Sequence, residues 1–258
     1  MNIVCNLFIL ILISSLAGCS TLTGKTGGRL KDSTDRIEAQ KILFQIKGKN
    51  NTLETFKGIG NAKLTGKSGT RIYRMAYSGT KQNKIRMVVL EGGQSVETFA
   101  TDGKYFYLIS HSNQHRFIKK RLSDSSLKRI ISIPVKIEEL IDLLSGRIPL
   151  YKYDEAILEK NNTASGYIII MRKKWRGIVE KIFIDESKSK IKQFEKFNAV
   201  GQLSYRVSLS DVREVDGFTI PMKFKIATSH DDSFEFDVDR YWANTDVSES
   251  MFQLKPSD

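Results

Sequence analysis

The chain has 258 residues, with 41 Lys and Arg against 29 Asp and Glu, a net charge of +12, and two cysteines. That length is enough for one domain with a core of its own. Cys5 and Cys19 both lie near the N-terminus, so the rest of the chain has no thiol for a disulfide, a thiolate metal site or a cysteine nucleophile. Its stability must come from packing.

The first residues read as an export signal. Met1 to Asn6 is short and mildly polar, Leu7 to Ile13 is apolar, and the segment then narrows to small residues before a cysteine. The apolar run is too short for a stable membrane span. Leu16-Ala17-Gly18-Cys19 resembles a bacterial lipobox, where small residues fit a signal peptidase and the thiol accepts a lipid. The n-region departs from the usual pattern in having no Lys or Arg. The reading is a signal peptide over residues 1–18, a lipid on Cys19 that anchors the chain to a membrane, and a flexible Thr/Gly/Ser/Lys tether over 19–33. Residues 34–258 are then one domain. Ser20 after the cysteine, in place of Asp, implies by resemblance the outer membrane, with the domain facing the periplasm.

Thr34-Asp35 can cap a helix carrying Ile37, Ile42, Leu43, Phe44 and Ile46, which Gly48-Lys49-Asn50-Asn51 ends. Strand patterns follow over 53–64, 71–78, 84–90, 95–100, 104–109 and 116–120, separated by turn residues such as Thr101-Asp102-Gly103. The middle differs: 123–131 and 136–144 have helical spacing with Pro134 between them. Ile137, Leu140, Ile141 and Leu144 lie on one face of the second helix. Strands resume over 156–160, 166–173, 178–185, 191–198, 202–211, 218–228 and 233–242. The predicted class is mainly β with α. It is a curved antiparallel sheet of about eleven strands forming a half-open barrel, covered by the N-terminal helix and a mid-chain helical lid.

Catalytic chemistry is not evident. His111, His115 and His230 sit in or beside turns, and no phosphate loop or nucleophile elbow occurs. No catalytic residue, metal ligand or cofactor is assigned, and the chain is read as a non-enzyme. Two basic stretches stand out, His115 to Arg121 and Arg172-Lys173-Lys174-Trp175-Arg176. Both read as solvated strand faces that keep the protein soluble, with attraction to anionic lipid headgroups as the functional alternative. Nucleic acid is not expected as a partner of an exported chain.

The ordered set of these features resembles the LolB outer-membrane lipoprotein receptors and the wider LolA, LolB and LppX group of unclosed β-barrels. The resemblance rests on the lipobox with a helix and a strand near Phe56-Lys57-Gly58-Ile59-Gly60. It rests also on Lys84 to Leu90 with a Gly-containing tip and Ser95 to Phe99, on Ile133-Pro134-Val135 leading to Leu140, Leu143-Leu144, Gly146 and Pro149, and on Val215 to Pro221 with Asn244 and Phe252. It spans roughly residues 34–254. It implies a monomer that takes acyl chains of lipoproteins from a periplasmic LolA-like carrier and helps insert them into the outer membrane. The family's membrane-insertion loop maps onto Val89, Leu90, Glu91 and Gly92, with Leu90 as the inserting residue. The family's proline is missing there, and Glu91 would be costly in hydrocarbon. The acyl chains would lie on Ile59, Leu64, Met75, Met87, Phe106, Leu108, Ile168, Ile170, Phe183 and Phe224. The alternatives are a carrier or sensor of another lipid or glycolipid, and a structural envelope lipoprotein that binds a protein.

Overall fold

The computed structural model describes residues 26–111, 116–122 and 133–256, with side chains from residue 32 onward. Cys19 and its lipobox, the tether up to residue 25, the expected helix over 123–131 and His115 lie outside the described residues.

Among the described residues, thirteen strands form one antiparallel sheet. They are β1 (Thr55–Gly66), β2 (Gly69–Thr80), β3 (Lys84–Glu91), β4 (Gln94–Thr101), β5 (Tyr105–Ser110), β6 (Phe117–Arg121), β7 (Glu155–Lys160), β8 (Tyr167–Lys173), β9 (Gly177–Ile184), β10 (Ile191–Phe197), β11 (Leu203–Val215), β12 (Phe218–Ala227) and β13 (Ser233–Ala243). The order is β6-β5-β4-β3-β2-β1-β13-β12-β11-β10-β9-β8-β7. Two meanders therefore meet at one long-range seam, β1 with β13, in which Phe56 faces Ala243 and Thr65 faces Ser233. The outer edges, β6 and β7, do not pair, so the barrel stays open. The expectation of about eleven strands is low by two, because each of the thirteen segments with strand spacing forms a strand of its own.

Period-2 alternation decides which face is buried. In β1 the buried residues are Phe56, Gly58, Gly60 and Ala62, and in β3 they are Ile85, Met87 and Val89. Aromatic side chains cross the seam on this face. Tyr77 meets Phe236 edge-on with ring centres 5.5 Å apart, Phe224 lies 5.8 Å from Phe236, and Phe56 stacks on Tyr241 at 6.2 Å. Each such pair adds about 0.5–1.5 kcal/mol beyond its buried area.

Two helices cover the same face. Helix α1 (Thr26–Gly48) lies along the edge strand β7 and buries Ala39, Ile42, Leu43 and Ile46, an i, i+3, i+4, i+7 stripe. It begins eight residues before Thr34, so part of the segment expected to be tether is helix. Ile37 and Phe44, seven residues apart, point away from the core and are exposed. Helix α2 (Ile137–Leu144) buries Ile137, Leu140, Ile141, Leu143 and Leu144 in the same continuous core. No described helix is long and apolar enough to cross a membrane.

The other face of the sheet is packed more lightly. A short 3-10 helix (Glu249–Phe252) brings the C-terminal segment there, where Leu254 packs with Ala100 and Tyr107, and Glu249 pairs with Lys84.

The turn between β4 and β5 rests on one carboxylate. Asp102 Oδ1 accepts the N–H groups of Lys104 (2.9 Å) and Tyr105 (2.7 Å), and Oδ2 accepts the Tyr107 hydroxyl (2.9 Å). Burial opposes ionisation of Asp102, but these three donors outweigh it and hold its pKa below the usual carboxylate range. A depressed folded-state value gives stability that is present above the unfolded pKa, near 3.9, and is lost as pH falls through the lower folded value. Asp102→Asn is therefore expected to lose about 1–2 kcal/mol at neutral pH and to show a smaller loss at the acid end of that range. Urea melts at several pH values measure both.

Candidate functional site

Register separates the ten proposed lipid-lining residues by face. Residues directly opposite in an antiparallel pair share a face. Met75 opposes both Gly60 and Val89, Met87 opposes Tyr77 and Phe99, and Phe99 opposes Leu108. Phe106 opposes Thr101, which opposes Ile85, and Leu64 and Phe224 join the same face through Phe234 and Phe236. Leu64, Met75, Met87, Phe106, Leu108 and Phe224 thus share the core-facing side. Ile59, Ile168, Ile170 and Phe183 do not. Ile59 alternates with Gly58 and Gly60, and Ile168, Ile170 and Phe183 oppose one another or Lys181 across β8 and β9, one residue out of step with buried Ile169, Met171 and Ile182. A stretch of consecutive apolar residues such as Tyr167 to Met171 carries no parity signal, so a sequence reading places half of it on the wrong side.

Coverage of the core-facing side is uneven. Under α1 and α2 it is closed, with Ile169, Met171, Ile182, Phe194 and Val207 almost or fully inaccessible. Across β1 to β5 and on β11, Leu64, Tyr73, Phe99, Phe106, Leu108 and Leu209 face the same way but stay partly exposed. A second opening lies beside α1. It is a groove of about 820 Å³ between Gln40, Leu43, Phe44, Ile46 and Lys47 of the helix and the strap Arg147 to Asp154 that follows α2, with Asp142 and Lys173 on its wall. Its lining mixes apolar side chains with basic Lys47, Arg147, Lys152 and Lys173 and acidic Asp142 and Asp154.

The lid helix α2 is held at both ends. At its start Glu139 Oε2 accepts the N–H of Lys136 (2.9 Å), and Glu138 and Glu139 complement the helix dipole. At its end Ser145 Oγ donates to the carbonyl of Ile141 (2.8 Å). Asn50 Nδ2 donates to the carbonyls of Ser145 and Thr219, both at 2.9 Å, and its Oδ1 accepts the Thr219 N–H at 3.1 Å. One amide thus joins the ends of α1 and α2 to β12.

Beneath the strap is an ionic network absent from the sequence reading. Glu180 of β9 and Lys196 of β10 are directly opposed on the core face, completely buried, and paired at 2.8 Å. Lys196 Nζ also donates to the Pro149 carbonyl and sits 3.9 Å from the centre of the Tyr151 ring, while Glu180 Oε2 accepts the Tyr151 N–H at 2.9 Å. Burial pushes the Glu180 pKa up against the pull of Lys196, and pushes the Lys196 pKa down against the pull of Glu180. Asp142, also raised by burial, pairs with Arg147 at 3.0 Å. Buried Glu139 interacts with both Tyr151 and Tyr205 and, after burial itself, helps keep both phenols protonated. These groups staple the strap to the sheet. The signal that could have found them is a Lys two residues from Phe194 on the inward parity of β10.

The segment mapped as an insertion loop is tighter than the resemblance implies. β3 and β4 are joined by the two-residue turn Gly92-Gly93, with φ of 57° and 84°, the left-handed pair that a type I′ hairpin needs. Val89 is buried in the core. Leu90 is still in the ladder, opposite Arg74 and Ser95, half-buried on the outer face, and Glu91 and Gly92 are exposed. Among the described residues no three His, Cys, Asp or Glu side chains are grouped to hold a metal ion. His111 Nε2 lies 3.2 Å from Thr98 Oγ1, and His230 is in an exposed turn.

No family model matches the sequence, and no curated protein matches it. Solved structures do match the fold. A domain described as an outer-membrane lipoprotein-sorting protein domain from Vibrio parahaemolyticus aligns over 83% of this chain and 97% of its own, with a TM-score of 0.58 and 12% identity. A LolA-superfamily protein from Nitrosomonas europaea aligns over 84% and 97%, with a TM-score of 0.57 and 12% identity. A DUF1329-family protein from Desulfovibrio piger aligns over 85% and 97%, with a TM-score of 0.58 and 7% identity. At these identities the likeness is one of fold. The chain shares the unclosed-barrel fold of these three structures.

Proposed function

We propose that this chain is a bacterial envelope lipoprotein that uses the uncovered part of its apolar sheet face to hold acyl chains. The observation that carries the reading is the uneven coverage of that face. Leu64, Tyr73, Phe99, Phe106 and Leu108 point to the core side without being closed over, as a site for transient apolar cargo requires. Burying a methylene there is worth about 0.8 kcal/mol, so one acyl chain supplies ample affinity. Met75 and Met87, deeper on the same face, repack easily around cargo that varies. The likeness to the Vibrio domain, described as an outer-membrane lipoprotein-sorting protein domain, supports a lipoprotein-handling role for this fold.

In its finer form the reading is LolB-like. Residues 1–18 are removed, Cys19 carries the lipid, and the domain acts as a monomer at the periplasmic side of the outer membrane. A periplasmic LolA-like carrier delivers the acyl chains of a lipoprotein, and transfer is driven by graded apolar affinity with no cofactor. Native mass spectrometry of the full chain purified from membranes tests the core of this. Acylated species that co-purify in addition to the anchor support it. An empty domain that takes up no added lipoprotein overturns it, and a stable complex with a non-acylated protein would assign the face to protein binding.

Leu90 tests the insertion step separately. Leu90 is half-buried at a hairpin end, so Leu90→Glu should leave the urea midpoint nearly unchanged. If the hairpin enters the membrane, the charge should slow release of cargo to liposomes about tenfold or more. Unchanged release removes the insertion role from this hairpin.

A further inference from the structure

Antiparallel meanders place alternate turns at one end of the sheet. By the strand order, the β8–β9, β10–β11, β12–β13, β1–β2 and β3–β4 turns share an end. Among the described residues, exposed large apolar side chains sit in turns at this end only. Trp175 of the β8–β9 turn and Val200 of the β10–β11 turn belong to this rim, with Ile72 near the start of β2. Toward the opposite end the exposed large apolar side chains are Val212 of β11 and Trp242 of β13, each about half exposed and both within strands rather than in turns.

The β8–β9 tip is the most distinctive of these. Lys174, Trp175 and Arg176 form the turn, closed by the Arg176 N–H donating to the Lys173 carbonyl at 3.1 Å, and Arg172 and Lys173 end the strand below it. Trp175 is fully exposed and packs on nothing. Its basic neighbours are also uncommitted. Among the described residues, no ion pair involves the side chains of Arg172, Lys173, Lys174 or Arg176. The two nearby carboxylates are engaged: Asp154 accepts the Lys174 N–H at 2.8 Å, and Glu155 pairs with Arg36. A fully exposed Trp has no role in folding, while an indole at headgroup depth is a favoured membrane-interface anchor.

We propose that the Arg172–Arg176 tip is a membrane-contact element that recognises anionic lipid headgroups, placing Trp175 at the interface and orienting this rim toward the bilayer. The basic side chains supply attraction and Trp175 supplies depth. The element is separate from the Leu90 hairpin but lies on the same rim, so both would meet the membrane in one orientation. The inference rests on the envelope-lipoprotein reading only for the presence of a membrane within reach.

The test uses the full chain, purified from membranes and reconstituted, in a Trp242→Phe background so that Trp175 is the only tryptophan of the chain. Vesicles contain acyl-brominated phosphatidylcholine with or without phosphatidylglycerol, and flotation confirms that the protein is bound. Trp175 emission is expected to be quenched in the anionic vesicles and recovered in 0.5 M salt, as screening requires. Lys173→Glu/Lys174→Glu should lower the quenched fraction about tenfold or more. Unquenched Trp175 in vesicle-bound protein overturns the proposal. So does equal quenching in neutral vesicles, or a Trp175 response confined to an added oligonucleotide. The intact mass reports lipid on Cys19 and co-purified acyl species report cargo, so failure of either reading is distinguishable from failure of the tip.

Discussion

Lys196→Met is expected to destabilise the domain by about 3–5 kcal/mol, a large part of the stability of any single domain. The cost does not come from losing a favourable pair. Glu180 and Lys196 are both inaccessible to water, and each neutralises the other. Removing the ammonium leaves Glu180 buried with no cation and leaves the Pro149 carbonyl without its donor. Glu180→Gln/Lys196→Met should therefore recover most of the loss, to within about 1 kcal/mol of the parent, because both charges go while Gln can still accept the Tyr151 N–H. pH supplies an independent check. Without Lys196, the burial that already raises the Glu180 pKa is opposed only by the Tyr151 N–H. A carboxylate whose folded pKa lies above its unfolded value loses stability as pH rises from the unfolded value through the folded one. The deficit of Lys196→Met should accordingly shrink toward pH 4–5 and be larger at neutral pH. Urea midpoints of the parent, the single and the double variant at both pH values measure all of this. A single variant as stable as the parent would mean that the pair is hydrated in solution.

The elements were legible because their spacing is set by backbone geometry. Turn residues such as Asp102-Gly103 and Gly92-Gly93 mark hairpins by chemistry that only certain residues satisfy, and the period-2 pattern of β1 and β3 shows one buried parity. Helix α2 was equally clear, since Ile137, Leu140, Ile141 and Leu144 repeat at helical spacing and Gly146 and Pro149 end it. Legibility failed where the pattern is degenerate. Ile168-Ile169-Ile170 is apolar at every position, and only the register with Glu180 to Phe183 tells which residues face the core. Ile37 and Phe44 matched a helical stripe by composition but sit on the far side of α1. The Glu180–Lys196 pair was invisible for another reason. A Glu and a Lys sixteen positions apart in a basic chain look like surface charges until the β9–β10 register puts them opposite each other beneath the strap.

These placements bear on how the site could open. The edges β6 and β7 are connected through the segment that carries α2, and the far end of that segment is fastened twice, by Asn50 at the end of the lid and by the Glu180–Lys196 pair under the strap. Apart from Leu209 of β11, the partly exposed side chains named above lie toward the other meander, on β1 to β5. If acyl chains bind as proposed, they would reach Phe99, Phe106 and Leu108 without breaking the buried ionic network, and entry from that side would need little rearrangement of α2.

The seam between the two meanders should be the point most sensitive to a single added methyl. Gly60 of β1 sits at a bulge: Ile59 opposes Arg240 and Gly60 opposes Val238, which leaves Asp239 as the extra residue of β13. The bulge brings the β13 backbone against the Gly60 α-carbon. A Cβ there would collide with the Asp237 carbonyl oxygen and lie 3.0 Å from the Val238 Cα. Both are main-chain atoms held by the ladder, so they cannot swing aside as a side chain would. Gly60→Ala is expected to cost about 3 kcal/mol, and the loss should fall on the β1–β13 pairing, which among the described residues is the only ladder that joins residues 55–121 to residues 155–243. Gly48→Ala is the control. It adds the same methyl at the end of α1, where nothing lies within 4 Å and φ is not left-handed, so it should be neutral or stabilise by about 0.5–1 kcal/mol through backbone entropy. Urea denaturation separates the two variants, and hydrogen exchange locates the damage. Seam amides of β1 and β13 should lose protection in Gly60→Ala while those of the β8–β9 and β9–β10 ladders keep theirs, and a uniform loss across the sheet would argue that the seam is not a separate weak point.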